Sequence, residues 1–257
     1  MIVASDIRRR QGGLSGISFA IPPGIMTAII GPNGAGKSTL LDLLAGRTRA
    51  DSGAITFGGV PIEDWSALAL ARRRAFLPQA PEVAFEVRVR DLVALGRSPH
   101  HGTPGGIVDA PAIEAALKMT DAWQFRDRLY HRISGGERQR VQLARVIAQL
   151  WRPPQAEGEA RYLMLDEPTA SLDPGHRLAV MRLLRELVRD GIGVVIALHD
   201  LNDAARFADE VVLLERGRII GRGAPQDVLQ AETLSAAYGA EAELLRAGDG
   251  RTAIVFR

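Results

Sequence analysis

Apolar positions along this chain change period several times. Met26 to Gly31, MTAIIG, is a continuous apolar run that reads as a buried strand entering a glycine-rich turn. KSTLLDLLAG follows, with Leu40, Leu41, Leu43 and Leu44 at helical spacing and Gly46 as the stop. GAITFGGVPI, Gly53 to Ile62, alternates around a glycine pair and predicts a hairpin. YLMLDE, Tyr162 to Glu167, is unbroken apolar sequence ending in acids, the pattern of a central parallel strand. Asp173-Pro174 then offers an N-cap and a proline at the first helical position. Leu178, Met181, Leu184 and Val188 form one face of the following helix, and Gly191 ends it. VVIALH predicts the next buried strand, and DEVVLLERGRIIGRG a hairpin turning at Arg216-Gly217.

The middle of the chain reads differently. From about Val87 to Leu150 there is little strand pattern and two helical stretches, Ala110 to Met119 and Glu137 to Leu150. A helical subdomain inserted between strands of an α/β core is expected. WRPPQAEGEAR, Trp151 to Arg161, reads as a polar loop, and no internal repeat is evident.

Composition narrows the chemistry. The 257 residues are 46% hydrophobic and 24% charged, ordinary for a soluble globular protein. A net charge of +2 gives no basic face, so nucleic acid is not an expected partner. The chain has no cysteine, which excludes disulfides, thiolate metal sites and cysteine nucleophiles. MIVASDIRRR has neither a long apolar core nor a cleavage site, so no leader is expected there. Apolar runs such as VVIAL fall far short of a bilayer span, so any membrane link is expected through partners.

Lysine occurs only as Lys37 and Lys118, and Lys37 stands in Gly31-Pro32-Asn33-Gly34-Ala35-Gly36-Lys37-Ser38. This is a Walker A loop between a strand and a helix. Its glycines let consecutive N–H groups surround phosphate oxygens, and the helix N-terminus adds partial positive charge. Lys37 would reach the β- and γ-phosphates, and the Ser38 hydroxyl would ligate Mg²⁺. Asp166 would hold the Mg²⁺ shell, and Glu167 would polarise the attacking water. The loop alone leaves kinases, G proteins, helicases and transporters open.

ISGGERQ, Ile133 to Gln139, opens a helix and makes a second anion-receptive N-terminus. Two copies facing head-to-tail would use both cradles. Here the chain resembles the ATP-binding cassette family over essentially its whole length. In order stand Walker A, the glutamine-loop residue Gln79 in FLPQ, the signature Ser134 to Gln139, Walker B with Glu167, SLD at Ser171 to Asp173, and His199 in ALHD. The resemblance implies a single domain over 1–257. Its fold would be a RecA-like α/β P-loop core with an antiparallel β subdomain and the helical subdomain at about 87–150.

It also implies roles. Gln79 would sense Mg²⁺ and the water, and His199 would contact the γ-phosphate; by itself His199 reads as a core histidine on a buried strand. Thr39 joins the loop in binding ATP. Ser134, Gly135, Gly136, Glu137 and Asp173 would act on the partner copy's ATP. Two departures stand out: Ile133 replaces the commoner leucine, and RRRQGG, Arg8 to Gly13, lacks the aromatic expected to stack on adenine. Arg10 can stack in its place, since a guanidinium plane packs on a base; a solvated basic turn is the other reading.

DLVALGRSPH, Asp91 to His100, looks like the docking segment of importers for iron–siderophore, cobalamin and haem. The long signature-to-Walker B connection and the tail ETLSAAYGAEAELL resemble the haemin-importer branch. That branch implies two copies of the chain with two transmembrane permease subunits and a periplasmic binding protein, at the cytoplasmic face of the inner membrane. Haem is the expected cargo, with iron–siderophore or cobalamin as the alternative. A non-transport P-loop enzyme or a non-hydrolysing regulatory cassette would lack the use for SGGERQ or for Glu167 and His199. His100 and His101 invite a haem-ligand reading, but a histidine pair in a Pro/Gly-rich loop without further ligands is a weak metal signal.

Overall fold

The computed structural model describes residues 1–257 except 104, 105, 107, 108, 153–158, 171 and 247–251. The chain divides into two compact units, Met1–Asp64 with Gly193–Arg257, and Trp65–Ile192.

The first unit opens with β1 (Ile2–Arg9) and β2 (Leu14–Ile21), paired antiparallel. β1 carries a bulge between Ala4 and Ile7, where Asp6 takes the left-handed φ of 46°. β3 (Met26–Ile30) is buried throughout and runs into α1 (Lys37–Leu44). Leu40, Leu41, Leu43 and Leu44 are all buried, as their spacing predicts. β4 (Ser52–Phe57) and β5 (Val60–Pro61) form the predicted hairpin around Gly58-Gly59, and β4 pairs with β1.

The second unit carries α2 (Ala67–Ala71), β6 (Arg74–Leu77), α3 (Val89–Ala94), α4 (Asp109–Met119), α5 (Gly135–Leu150), β7 (Arg161–Asp166) and α6 (Pro174–Arg189). β6 and β7 pair in parallel, Leu77 opposite Leu165, so both end at the same level. α4 and α5 fall where helical spacing places them. α6 starts on Asp173, whose carboxylate accepts from His176 N–H at 3.0 Å, with Pro174 in the first turn. The loop read at Trp151 to Arg161 lies mostly outside the described residues.

The chain then returns to the first unit through β8 (Ile192–Ala197), α7 (Leu201–Phe207), β9 (Glu210–Glu215) and β10 (Arg218–Gly223). β3 is flanked in parallel by β8 and β9, the buried arrangement that continuous apolar strands require. α8 (Pro225–Val228), α9 (Ala231–Tyr238), β11 (Ala242–Arg246) and β12 (Thr252–Phe256) close the unit, the last two as a hairpin. Asn202 of α7 exchanges two hydrogen bonds with the Ile254 main chain, at 2.8 and 3.2 Å, and so fastens that hairpin. Among the described residues no helix is long and apolar enough to cross a membrane.

The β9–β10 turn has Arg216 and Gly217 at φ 47° and 75°. Gly217 lies so close to the β1–β2 tip that an added Cβ would stand 1.8 Å from the Gly13 carbonyl oxygen. Its own carbonyl accepts from Ser15 N–H at 2.8 Å, and its N–H donates to Ala35 O at 3.2 Å. Gly217→Ala is therefore expected to cost at least ~2 kcal/mol through strain and clash. Gly58→Ala, with φ 62° and nothing within 4 Å of the added carbon, is expected to cost about 1 kcal/mol. Urea unfolding of both variants checks the difference, and equal losses would contradict it.

Candidate functional site

The phosphate loop lies in the first unit. Gly31, Gly34 and Gly36 have φ of 146°, 76° and 102°, values that disfavour side chains. A Cβ on Gly31 would meet Leu214 O at 2.1 Å, and one on Gly36 would meet Leu14 Cδ2 at 2.6 Å. α1 begins directly after Gly36 with no side-chain cap and no acid in its first turn. Its leading N–H groups are left for an external acceptor. Lys37 is buried, and its ammonium donates to Gly31 O at 2.8 Å and Pro32 O at 3.2 Å. A cation laid along bare, glycine-bent backbone at an uncapped helix N-terminus fits a phosphate chain. Asn33, Gly34 and Ser38 are exposed, Ala35 is buried, and Pro32 and Thr39 lie between.

The tip of the β1–β2 hairpin packs on this loop. An added Cβ on Gly12, at φ 96°, would be 2.2 Å from Thr39 Oγ1. Arg10 is exposed at the same tip, with its main-chain N–H donating to the Asp51 carboxylate at 2.8 Å. No local pattern in the sequence marks the close approach of Gly12 to Thr39.

The acids lie in the second unit. Asp166 ends β7 and is buried. Glu167 follows at 9% exposure with φ 51°, a left-handed conformation that costs about 1 kcal/mol for a non-glycine residue. Gln79, just beyond β6, donates its amide N–H to Glu167 Oε2 at 2.6 Å. Parallel pairing of β6 and β7 thus brings together two residues 88 positions apart.

The signature forms a capping box on α5 in the same unit. Ser134 Oγ accepts from Glu137 N–H at 3.3 Å, and the Glu137 carboxylate accepts from Ser134 N–H at 2.7 Å. That main-chain donor, ahead of any other cause, holds the Glu137 carboxyl below the ordinary carboxylate range. An added Cβ on Gly135 would meet nothing within 4 Å, and one on Gly136 only Leu172 Cδ2 at 3.6 Å. Packing among the described residues does not require glycine at either position. Asp173 is exposed and paired with the His176 ring, and its carboxyl is lowered first by the His176 main-chain N–H. Ser171 lies outside the described residues.

His199 does not sit on a buried strand. β8 ends at Ala197, and His199 is exposed just before Asp200, the N-cap of α7. The core-histidine reading fails because the strand stops two residues early. Within Asp91 to His100, Asp91, Leu95 and Ser98 face outward. Arg97 is fully buried, donating to Ala148 O at 2.7 Å, Trp151 O at 3.2 Å and Asp109 at 2.8 Å. His100 is buried with Nε2 2.8 Å from Gln149 O, while His101 is exposed, 3.8 Å from Asp109. The two rings therefore occupy different environments, and the His100 Nε2 is committed to a carbonyl.

The family model described as ABC transporter matches residues 14–170, more than half of the chain. The chain belongs to the ABC transporter family. Among curated relatives of this ABC protein is the Hemin import ATP-binding protein HmuV of Rhizobium meliloti (strain 1021). It is 46% identical over 245 residues, covering 93% of this chain and 91% of that protein. The protein of the same name from Pseudomonas putida is 46% identical over 226 residues, covering 88% and 86%. A solved metal-chelate type ABC transporter in an inward-facing conformation superposes with a TM-score of 0.82 at 26% identity, covering 100% of this chain and 96% of that one.

Burial moves the His100 imidazole below its ordinary value of 6.5, against a smaller opposing effect of the Gln149 carbonyl. A folded pKa below the unfolded one means that the unfolded chain binds more protons in that interval. Stability is then whole above 6.5 and falls as pH drops through 6.5 toward the folded value. His100→Gln, which keeps a donor for Gln149 O, is expected to flatten that acid slope. Urea unfolding at about pH 7.5 and about pH 5.5 reads it; parallel slopes in the two proteins would refute the assignment.

Proposed function

We propose that this chain is the ATP-hydrolysing subunit of an importer that carries haem across the inner membrane. The observation that carries the cargo is the pair of hemin import ATP-binding relatives at 46% identity, each matched over more than four-fifths of both chains. The full 1–257 acts as one cassette, with residues of about 87–150 as its helical subdomain. Two copies work with two transmembrane subunits and a periplasmic binding protein, and the chain reaches the membrane only through them.

Gly31 to Thr39 bind the triphosphate, with Lys37 moving from the loop carbonyls onto the β- and γ-phosphate oxygens. Arg10 lies against the adenine. Ser38, Gln79 and Asp166 would hold Mg²⁺, since their hydroxyl, amide and carboxylate oxygens are the hard donors that cation takes, and the ion would there supply positive charge against the phosphate oxygens. Glu167 polarises the attacking water and accepts its proton, and His199 contacts the γ-phosphate. Gln79 bridges the carboxylate to the helical subdomain, whose outward Asp91, Leu95 and Ser98 face the membrane partner.

Ser134, Gly135, Gly136, Glu137 and Asp173 act on the partner copy's ATP. The two glycines support this reading, because nothing among the described residues of their own chain needs them bare while a phosphate from outside does.

Glu167→Gln keeps the shape and removes the base. Its turnover is expected to fall by about 10²–10⁴ with ATP binding intact, and ATP with Mg²⁺ should trap it as a dimer in size-exclusion chromatography. Ser134→Arg should keep monomer ATP binding and lose steady-state hydrolysis. Loss of ATP binding as severe as in Lys37→Ala would refute action in trans.

The cargo is tested in cells. Deleting the gene is expected to abolish growth on haem as iron source and spare growth on free iron. A deletion strain that still imports haem but loses siderophore or cobalamin uptake would overturn the haem assignment.

A further inference from the structure

Glu167 is held from more than one side, its own carbonyl accepting from Ala170 N–H at 3.3 Å. A left-handed glutamate stays put only where its neighbours over-determine it. Gln79 holds the carboxylate end. On the main-chain side, the next residue is Pro168, buried and without an N–H. Its carbonyl accepts a hydrogen bond from Gln139 Nε2 at 2.8 Å. Proline φ is fixed near −65°, so only ψ of Pro168 stays free between this carbonyl and the planar Glu167–Pro168 peptide, and pinning the carbonyl restricts how that peptide can turn.

Gln139 lies on α5, five residues after Ser134 and on the same rigid rod. The start of that rod is itself fixed. Arg138 donates to His131 O at 2.7 Å and Ile133 O at 3.1 Å, and its guanidinium lies over the Tyr130 ring at 5.8 Å. One helix therefore carries the signature serine at its N-cap and the clamp on the catalytic turn one and a half turns later.

We propose that Gln139 is a positioning residue for hydrolysis. Through the Pro168 carbonyl it holds Glu167 in its left-handed conformation and ties that carboxylate to the helix that meets the partner's nucleotide. This rests on Glu167 being the water-polarising base.

The test uses Gln139→Met, which keeps the length of the side chain and loses the donor, in the full chain with ATP and Mg²⁺. A base displaced by about 1 Å loses on the order of 10²-fold, so kcat is expected to fall about 10- to 100-fold. KM, monomer ATP affinity and ATP-dependent dimerisation in the Glu167→Gln background should stay within about twofold. The decisive measurement is the double variant. If Gln139 acts through Glu167, adding Gln139→Met to Glu167→Gln should change the residual single-turnover rate by less than about twofold.

A wild-type kcat in Gln139→Met would overturn the proposal. So would an equal slowing of the wild-type and Glu167→Gln backgrounds, which would put the effect on the signature face or the fold. If Gln139→Met unfolds, Gln139→Glu, also without a donor at this atom, takes its place under the same criteria. Equal turnover of wild type and Glu167→Gln would instead remove the base assignment, and this inference with it.

Discussion

A phosphate chain can be surrounded by main-chain N–H groups only where no side chain stands between them and no acid competes for the donors. The first unit is organised around that constraint. Gly31 passes under Leu214, Gly36 against Leu14, Gly12 onto Thr39 and Gly217 onto Gly13. At each contact the missing Cβ is what allows two backbones, or a backbone and a side chain, to meet. The loop, the β1–β2 tip and the β9–β10 turn are thereby fastened together. Lys37 lies along the loop as the one buried cation among the described residues of α1.

The second unit solves a different problem. It must hold a carboxylate in a conformation that the chain disfavours, at the exit of a buried strand. Parallel pairing of β6 and β7 places Gln79 beside Glu167, and α5 reaches the following peptide through Gln139 and Pro168. The strain at Glu167 is of order 1 kcal/mol, comparable to the net worth of a hydrogen bond. The Gln79 bond, the Ala170 N–H on the Glu167 carbonyl and the Gln139 bond to the next residue act on it together. The same helix carries the Ser134–Glu137 capping box, so the capped N-terminus and the contact to Pro168 share one rigid element.

Much of this was legible in order along the chain. The strand–loop–helix of Gly31 to Leu44, the DE pair after YLML, the Asp173-Pro174 helix start and the Gly58-Gly59 and Arg216-Gly217 turns each carry their own local signal. Elements with weak local signals were missed. β1 is broken by the Asp6 bulge and ends in arginines. α3 has Arg88 at its N-cap position with no side-chain cap, and so no start mark. β11 and β12 are short strands held by each other and by Asn202 of α7.

The sequence by itself determined the order and spacing of the motifs, and through them the family to which the chain belongs. Those motifs are encoded at fixed spacing within single turns and strand ends, where backbone geometry alone fixes the relation of their residues. Only the tertiary structure decided the pairings across long separations. Gln79 meets Glu167, Gln139 meets Pro168, Gly12 meets Thr39, and Arg97 is consumed by the end of α5. It also moved His199 off its strand and parted His100 from His101. Such contacts depend on strand register and helix packing, in which many residues act at once, and no local pattern in the chain records them.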